Sequence, residues 1–264
     1  MIRIFYFSGT GNSYSVARTL AKQLNGVMVN LADYLANPEV VDDEVVGIVT
    51  PTYCMDLPEV VQKFLRRVNM KDVKYVFCVA TMGATAGRTL HHAKDILEER
   101  GYKLHSGFSL TLPDNSIVFP SGEEKTKKFL AEENSKINGI VDNIKIRYNN
   151  SSSLKDNFIW AVSSPIGMWV LENVFNIKEK TVKEDKCNGC GICSIVCPMH
   201  CIKIVDDKPQ FGPNCATCFA CAQWCPREAI NLGKLHPTGK TKYVHPGIPV
   251  KEFAGQTTLA GMDD

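Results

Sequence analysis

The sequence predicts an α/β protein: a doubly wound parallel sheet followed by a small, cysteine-rich α+β module. Three observations carry this. Apolar strand-forming runs alternate with helical patterns as far as Ile146, which argues for parallel strands joined by crossover helices. A loop rich in glycine and hydroxyls, Ser8 to Ser13, joins the first such run to the first helical pattern. Nine of the eleven cysteines lie between Cys187 and Cys225, eight of them in two runs of one spacing.

Taken in order, Ile2 to Phe7 is apolar and reads as the first strand. From Tyr14 to Leu24, Val16, Leu20, Ala21 and Leu24 fall at helical spacing. Gly26 to Leu31 is a weaker strand; Glu44 to Thr50 and Lys74 to Ala80 are buried ones; Tyr102 to Leu112 is longer and mixed. Helices are expected over Pro58 to Val68, Gly87 to Arg100 and Glu123 to Ile146, with Pro58 suited to a first turn. Ligands of such sheets sit beyond the carboxyl ends of the strands, at the switch point. Three loops meet that description: Ser8 to Ser13, Pro51 to Asp56 and Thr81 to Gly87.

In the first of these, Ser8, Thr10 and Ser13 supply hydroxyls, and Gly9 and Gly11 allow close backbone approach. Free N–H groups beside a helix N-terminus bind phosphate well. The loop has no lysine and no G-x-G-x-x-G, so it is neither a nucleoside-triphosphate loop nor a dinucleotide fingerprint. A capped strand–helix turn is the plainer alternative. His91 and His92, on a helix, read as surface or packing residues.

Asn149 to Ser153 is polar, of low complexity, and reads as a boundary. Phe158 to Phe175 follows, uncharged to Leu171 and interrupted by Pro165 and Gly167. It is too short and broken to span a membrane. It is expected to be a bent apolar segment packed between the domains, with a membrane-surface or partner-docking helix as the alternative. The tail after Leu235 has no period and is expected to lie as an arm over one domain. The expected domains are therefore 1–150, a linker over 151–180, 181–235 and the arm over 236–264.

The cysteine runs each read C-x2-C-x2-C-x3-C-P. Cys187, Cys190, Cys193 and Cys197 recur 28 residues on as Cys215, Cys218, Cys221 and Cys225. Ile202 and Ile204 match Ile230 and Leu232, as strands of two equivalent halves. Zinc knuckles would need only two separated C-x2-C pairs per site. The spacing is similar to that of bacterial ferredoxins, which implies two [4Fe–4S] clusters. The last cysteine of each run then serves the other cluster. Cluster one takes Cys187, Cys190, Cys193 and Cys225; cluster two takes Cys215, Cys218, Cys221 and Cys197. Cys201 has no counterpart in the second run and reads as a small buried thiol.

The first part resembles the flavodoxin family, through Ser8-Gly9-Thr10-Gly11-Asn12-Ser13 and the two later loops. The resemblance implies the strand order 2-1-3-4-5 and FMN, with its phosphate on that loop. The ring would lie against Pro51, Thr52, Tyr53 and Cys54 on one side and Thr81, Met82 and Gly83 on the other. Nearly the whole chain, including Thr111 to Asn115 and the Tyr243-Val-His-Pro tail, resembles the flavodoxin-fold ferredoxins. That implies an oxidoreductase-type electron carrier with FMN and two clusters, serving redox partner proteins. A flavin-dependent reductase acting on an organic substrate or quinone, using Asp56, Thr85 or Asn115, is the alternative; a redox sensor is a third. A formal charge of +2 is too near zero to imply a nucleic-acid partner. Met1 leads straight into an apolar strand without a basic leader, so a reducing, anaerobic cytoplasm is the expected setting.

Overall fold

The computed structural model describes residues 1–155 and 158–255. The chain divides into two compact units, the first made of 1–7, 12–113 and 121–165, the second of 8–11, 114–120 and the chain from Ile166 onward.

The first unit is built on five parallel strands: β1 (Ile2–Tyr6), β2 (Val27–Asn30), β3 (Val45–Pro51), β4 (Tyr75–Met82) and β5 (Ser106–Thr111). They lie in the order β2-β1-β3-β4-β5, the doubly wound order expected. Helices on both faces make the central strands continuous apolar runs rather than alternating ones. Every residue of β3 is buried, and so is β4 up to Thr81. Gly47 of β3 pairs with Phe77 of β4, and a Cβ there would come within 2.3 Å of the phenyl ring. A glycine is what lets a fully buried phenylalanine stand on the neighbouring strand.

Helices α1 (Asn12–Leu24), α2 (Leu31–Ala36), α3 (Glu59–Arg67), α4 (Thr89–Glu99) and α5 (Glu123–Lys145) follow. On α3, Val60, Val61, Phe64 and Leu65 form the buried face, each worth roughly 1.5–3 kcal/mol of apolar burial. Helix α2 was not foreseen. The strand expected to reach Leu31 ends at Asn30, whose side chain accepts the Ala32 N–H at 3.1 Å and so starts a helix. The strand expected from Tyr102 begins only at Ser106. Gly101, at φ +77°, ends α4, and 102–105 descend to the sheet with Leu104 fully buried.

The polar run 149–153 is fastened to the edge strand. Asn150 exchanges two hydrogen bonds of 2.9 Å with the backbone of Gly107. The division between the units falls further on, between Pro165 and Ile166. Helix α6 (Phe158–Trp169) continues into a π-helical turn, Val170–Val174. It was expected to bury its apolar side chains, but Ile159, Val162, Ile166 and Trp169 are 64, 46, 57 and 60 % exposed. High hydropathy was read as burial, whereas these positions form one exposed helical stripe. Trp169→Ser should therefore change stability by less than about 0.5 kcal/mol, checked by urea unfolding. No described helix is long and apolar enough to cross a membrane.

In the second unit, β6 (Lys180–Val182) pairs antiparallel with β9 (Ile230–Leu232), and β7 (Ile202–Val205) with β8 (Lys208–Phe211). Asp206 and Asp207, at φ +48° and +57°, make the two-residue turn of the second pair. Short helices α7 (Ile192–Ile195) and α8 (Ala220–Gln223) follow the two cysteine loops. The backbone repeats as the sequence does. Positive φ occurs at Gly189 and Thr217, at Gly191 and Phe219, and at His200 and Glu228. Each pair is 28 residues apart, and in each the second member is not glycine. A phenylalanine at φ +64° is strained by roughly 1–2 kcal/mol. Such strain persists only where the surroundings over-determine it. The tail also contains α9 (Val250–Ala254), which its lack of period had hidden.

Candidate functional site

The cysteines gather as two sets within the second unit. One cavity is lined by Cys187, Cys190, Cys193 and Cys225, three from the first run and the last of the second. Burial, then the neighbouring Cys225, pushes the Cys193 thiol up to about 11. In the other set, burial raises the thiols of Cys218 and Cys221, and Cys215 and Cys197 act on both. Backbone N–H groups reach the sulfurs, among them Thr217 to Cys215 and Ala229 to Cys225, both at 3.4 Å. Among the described residues no three His, Cys, Asp or Glu side chains converge on a single metal ion. The four thiolates of a cubane each bind a different iron and need no such convergence.

Cys201 is closer to this chemistry than the sequence suggested. Its Sγ lies 3.5 Å from Cys197 Sγ. Its thiol hydrogen-bonds Cys197 and Cys215 and lowers the pKa of both. The signal was its position four residues after Cys197, just before β7.

Loop 8–13 is buried throughout. Ser8 Oγ accepts the Gly11 N–H at 3.2 Å, closing the turn, and Gly11 stands at φ +101°. Within the second unit the Trp224 indole N–H donates to Gly9 O at 3.0 Å, and the His245 N–H to Thr10 O at 2.8 Å. The Asn115 amide donates to Thr10 Oγ1. Gly9 and Gly11 were expected to make room for a phosphate. In the structure they face protein: a Cβ on Gly9 would come within 2.4 Å of Cys218 O, and one on Gly11 within 2.9 Å of His245 Cβ. The backbone N–H groups of Gly9 and Thr10 find no acceptor among the described residues. Buried N–H groups without partners are rare. These two, just before α1, fit an anion.

Within the first unit Ser13 Oγ meets Thr81 Oγ1 at 2.8 Å, and the Asn12 amide donates to Pro113 O at 2.9 Å. Pro51 and Thr81 are register partners at the carboxyl ends of β3 and β4; the Thr52 N–H donates to Thr81 O. Tyr53 to Asp56 is a tight turn closed by two backbone hydrogen bonds, with Cys54 and Met55 at positive φ. Tyr53 and Met82 are half-buried at this edge, with Gly83 beside Met82, and the Tyr53 ring meets Phe7 edge-on at 6.5 Å. His92, read from sequence as a surface or packing residue, bonds Asp56 at 2.8 Å, and Arg88 lies 3.8 Å from the same carboxylate. Asp56 also accepts the Leu57 N–H, and Thr85 Oγ1 accepts the Gly87 N–H.

Residues 3–140 match the flavodoxin domain family, and residues 180–203 the 4Fe-4S binding domain family. A ferredoxin of Methanothermococcus thermolithotrophicus is 36% identical over 56 residues, 20% of this chain and 93% of that protein. An uncharacterized protein of Methanocaldococcus jannaschii is 31% identical over 75 residues, 28% of this chain and only 28% of that relative's length. Among solved structures, two-electron reduced Megasphaera elsdenii flavodoxin is similar at 19% identity with a TM-score of 0.33, over 41% of this chain and 85% of its own.

Proposed function

Because the chain belongs to the flavodoxin domain family over residues 3–140, and to the ferredoxins in its cysteine-rich segment, we propose that it is an electron-transfer protein holding FMN and two [4Fe–4S] clusters. FMN exchanges one or two electrons and each cluster one, so such a chain links two-electron to one-electron chemistry. The observation that carries the second cluster is the backbone repeat, in which Thr217, Phe219 and Glu228 copy the left-handed positions of Gly189, Gly191 and His200. A loop that keeps a strained conformation without glycine is being held to the same template as its partner.

In this reading Cys187, Cys190, Cys193 and Cys225 hold one cluster, and Cys215, Cys218, Cys221 and Cys197 the other. The N–H groups of the Ser8–Ser13 loop hold the flavin phosphate. Thr52, Tyr53, Cys54 and Pro51 on one side, and Thr81, Met82 and Gly83 on the other, border the ring. A carrier is favoured over a substrate-converting reductase because the side chains considered for orienting a substrate are already engaged. Asp56 is bonded to His92, Thr85 to Gly87, and Asn115 to Thr10. Redox partner proteins supply and take the electrons.

The test is a stopped-flow reduction by a low-potential donor under anaerobic conditions. Iron–sulfur bleaching and flavin reduction should be linked within one molecule, at a rate independent of protein concentration. A rate that rises with concentration would defeat the single-carrier reading. Turnover of an added quinone or other organic acceptor at enzyme-like rates would favour the reductase.

A further inference from the structure

We propose that cluster two and the flavin phosphate bind cooperatively, because the second cysteine loop braces the phosphate loop. The inference rests on the ligand sets and flavin site given above. It goes beyond them by making one cofactor's affinity depend on the other's presence.

The brace lies wholly within the second unit, which includes residues 8–11. Gly9 packs against the Cys218 backbone so closely that a methyl group would not fit. Trp224, three residues beyond Cys221, donates to Gly9 O. A trans peptide is planar, with C=O and N–H pointing opposite ways. Fixing Gly9 O therefore aims the Thr10 N–H away from Trp224. The same holds one peptide on: His245 fixes Thr10 O and so aims the Gly11 N–H, which closes the turn on Ser8 Oγ. Asn115 reaches Thr10 Oγ1, while Gln223 of α8 holds Asn115 O at 2.8 Å and receives the Tyr243 N–H at 2.9 Å. Trp224 is itself held by stacking on Phe253, with ring centroids 4.9 Å apart.

Cys218, Cys221, Gln223 and Trp224 thus form one short stretch. Its cysteines are fixed by iron, and its other residues set the direction of the phosphate-binding N–H groups. Without cluster two the stretch loses its covalent anchors, and the loop must be ordered at the expense of flavin binding. By linkage the effect is reciprocal: bound FMN holds cluster two more tightly by the same factor.

The experiment measures dissociation constants by flavin fluorescence on the anaerobic full-length protein, with iron counted in each sample. Cys215→Ser, which removes a cluster-two ligand without touching Gly9, should weaken FMN binding by about tenfold or more. Cys190→Ser, which removes cluster one, should leave it within about threefold, below the range of such couplings. Trp224→Phe keeps the stacked ring, removes the N–H donor and should retain all iron, yet weaken FMN severalfold. Riboflavin, lacking the phosphate, should bind all these proteins equally. Equal FMN affinity in Cys215→Ser and the unmodified protein would overturn the proposal. So would a parallel loss of riboflavin affinity, since that reports general loosening. If the unmodified protein with both clusters binds no FMN, it is the flavin assignment that fails.

Discussion

Cys225→Ser should remove the same cluster as Cys187→Ser, although the two residues belong to different runs. Each single variant should fall from about eight iron per chain to about four, because a cubane that loses one thiolate ligand is held by three. The decisive comparison is between double variants. Cys187→Ser with Cys225→Ser damages one site twice and should still hold about four iron. Cys187→Ser with Cys197→Ser damages both sites and should hold almost none. The basis is the cavity lined by Cys187, Cys190, Cys193 and Cys225, with Cys197 in the other set beside Cys215. Iron and sulfide analysis with low-temperature electron paramagnetic resonance reads the result. Retention of about four iron in the Cys187/Cys197 double variant would overturn the crossed assignment.

Gly11→Val should release the flavin. Gly11 stands at φ +101°, where a β-branched residue is strained, and its Cβ would press on His245 Cβ at 2.9 Å. The loop must then open, and its N–H groups no longer converge. Affinity for FMN should fall roughly a hundredfold, about 2.8 kcal/mol. Purified protein should carry little flavin while retaining its iron under anaerobic conditions. Stoichiometric FMN in this variant would place the phosphate elsewhere.

The strands were legible because buried parallel strands are continuous apolar runs, and β3 and β4 are such runs; their order was implied by the resemblance to flavodoxins, and the sheet has it. The cysteine repeat was legible because four cysteines recur at one fixed offset, and in the structure Cys187, Cys190, Cys193 and Cys225 line one cavity. What stayed hidden was tertiary. Trp224 meets Gly9 across 215 residues, and no local period signals such a contact. His245 sits in a tail whose sequence shows no period, yet is buried. Gly9 and Gly11 were recognised as close-approach residues, but sequence could not say what approaches, and in part it is Cys218 and His245. The pairing of His92 with Asp56 needed the α4 start to be set against the 53–56 turn. The exposed face of α6 was misjudged because composition reports how apolar a segment is, not which way it faces.

The second unit is assembled from three separated stretches of chain, and this has a consequence for biosynthesis. Residues 8–11 leave the ribosome early, but Cys218, Trp224 and His245 are made more than two hundred residues later. At about 5–20 residues per second, that interval is roughly 10–50 s. Throughout it the sheet of the first unit can form while residues 8–11 wait without their brace. Iron insertion during translation would meet a cysteine module whose N-terminal support is already present, whereas the module made alone would lack it. Cutting the chain at Pro165 would therefore not yield two working halves, because the ferredoxin part would leave residues 8–11 and 114–120 behind.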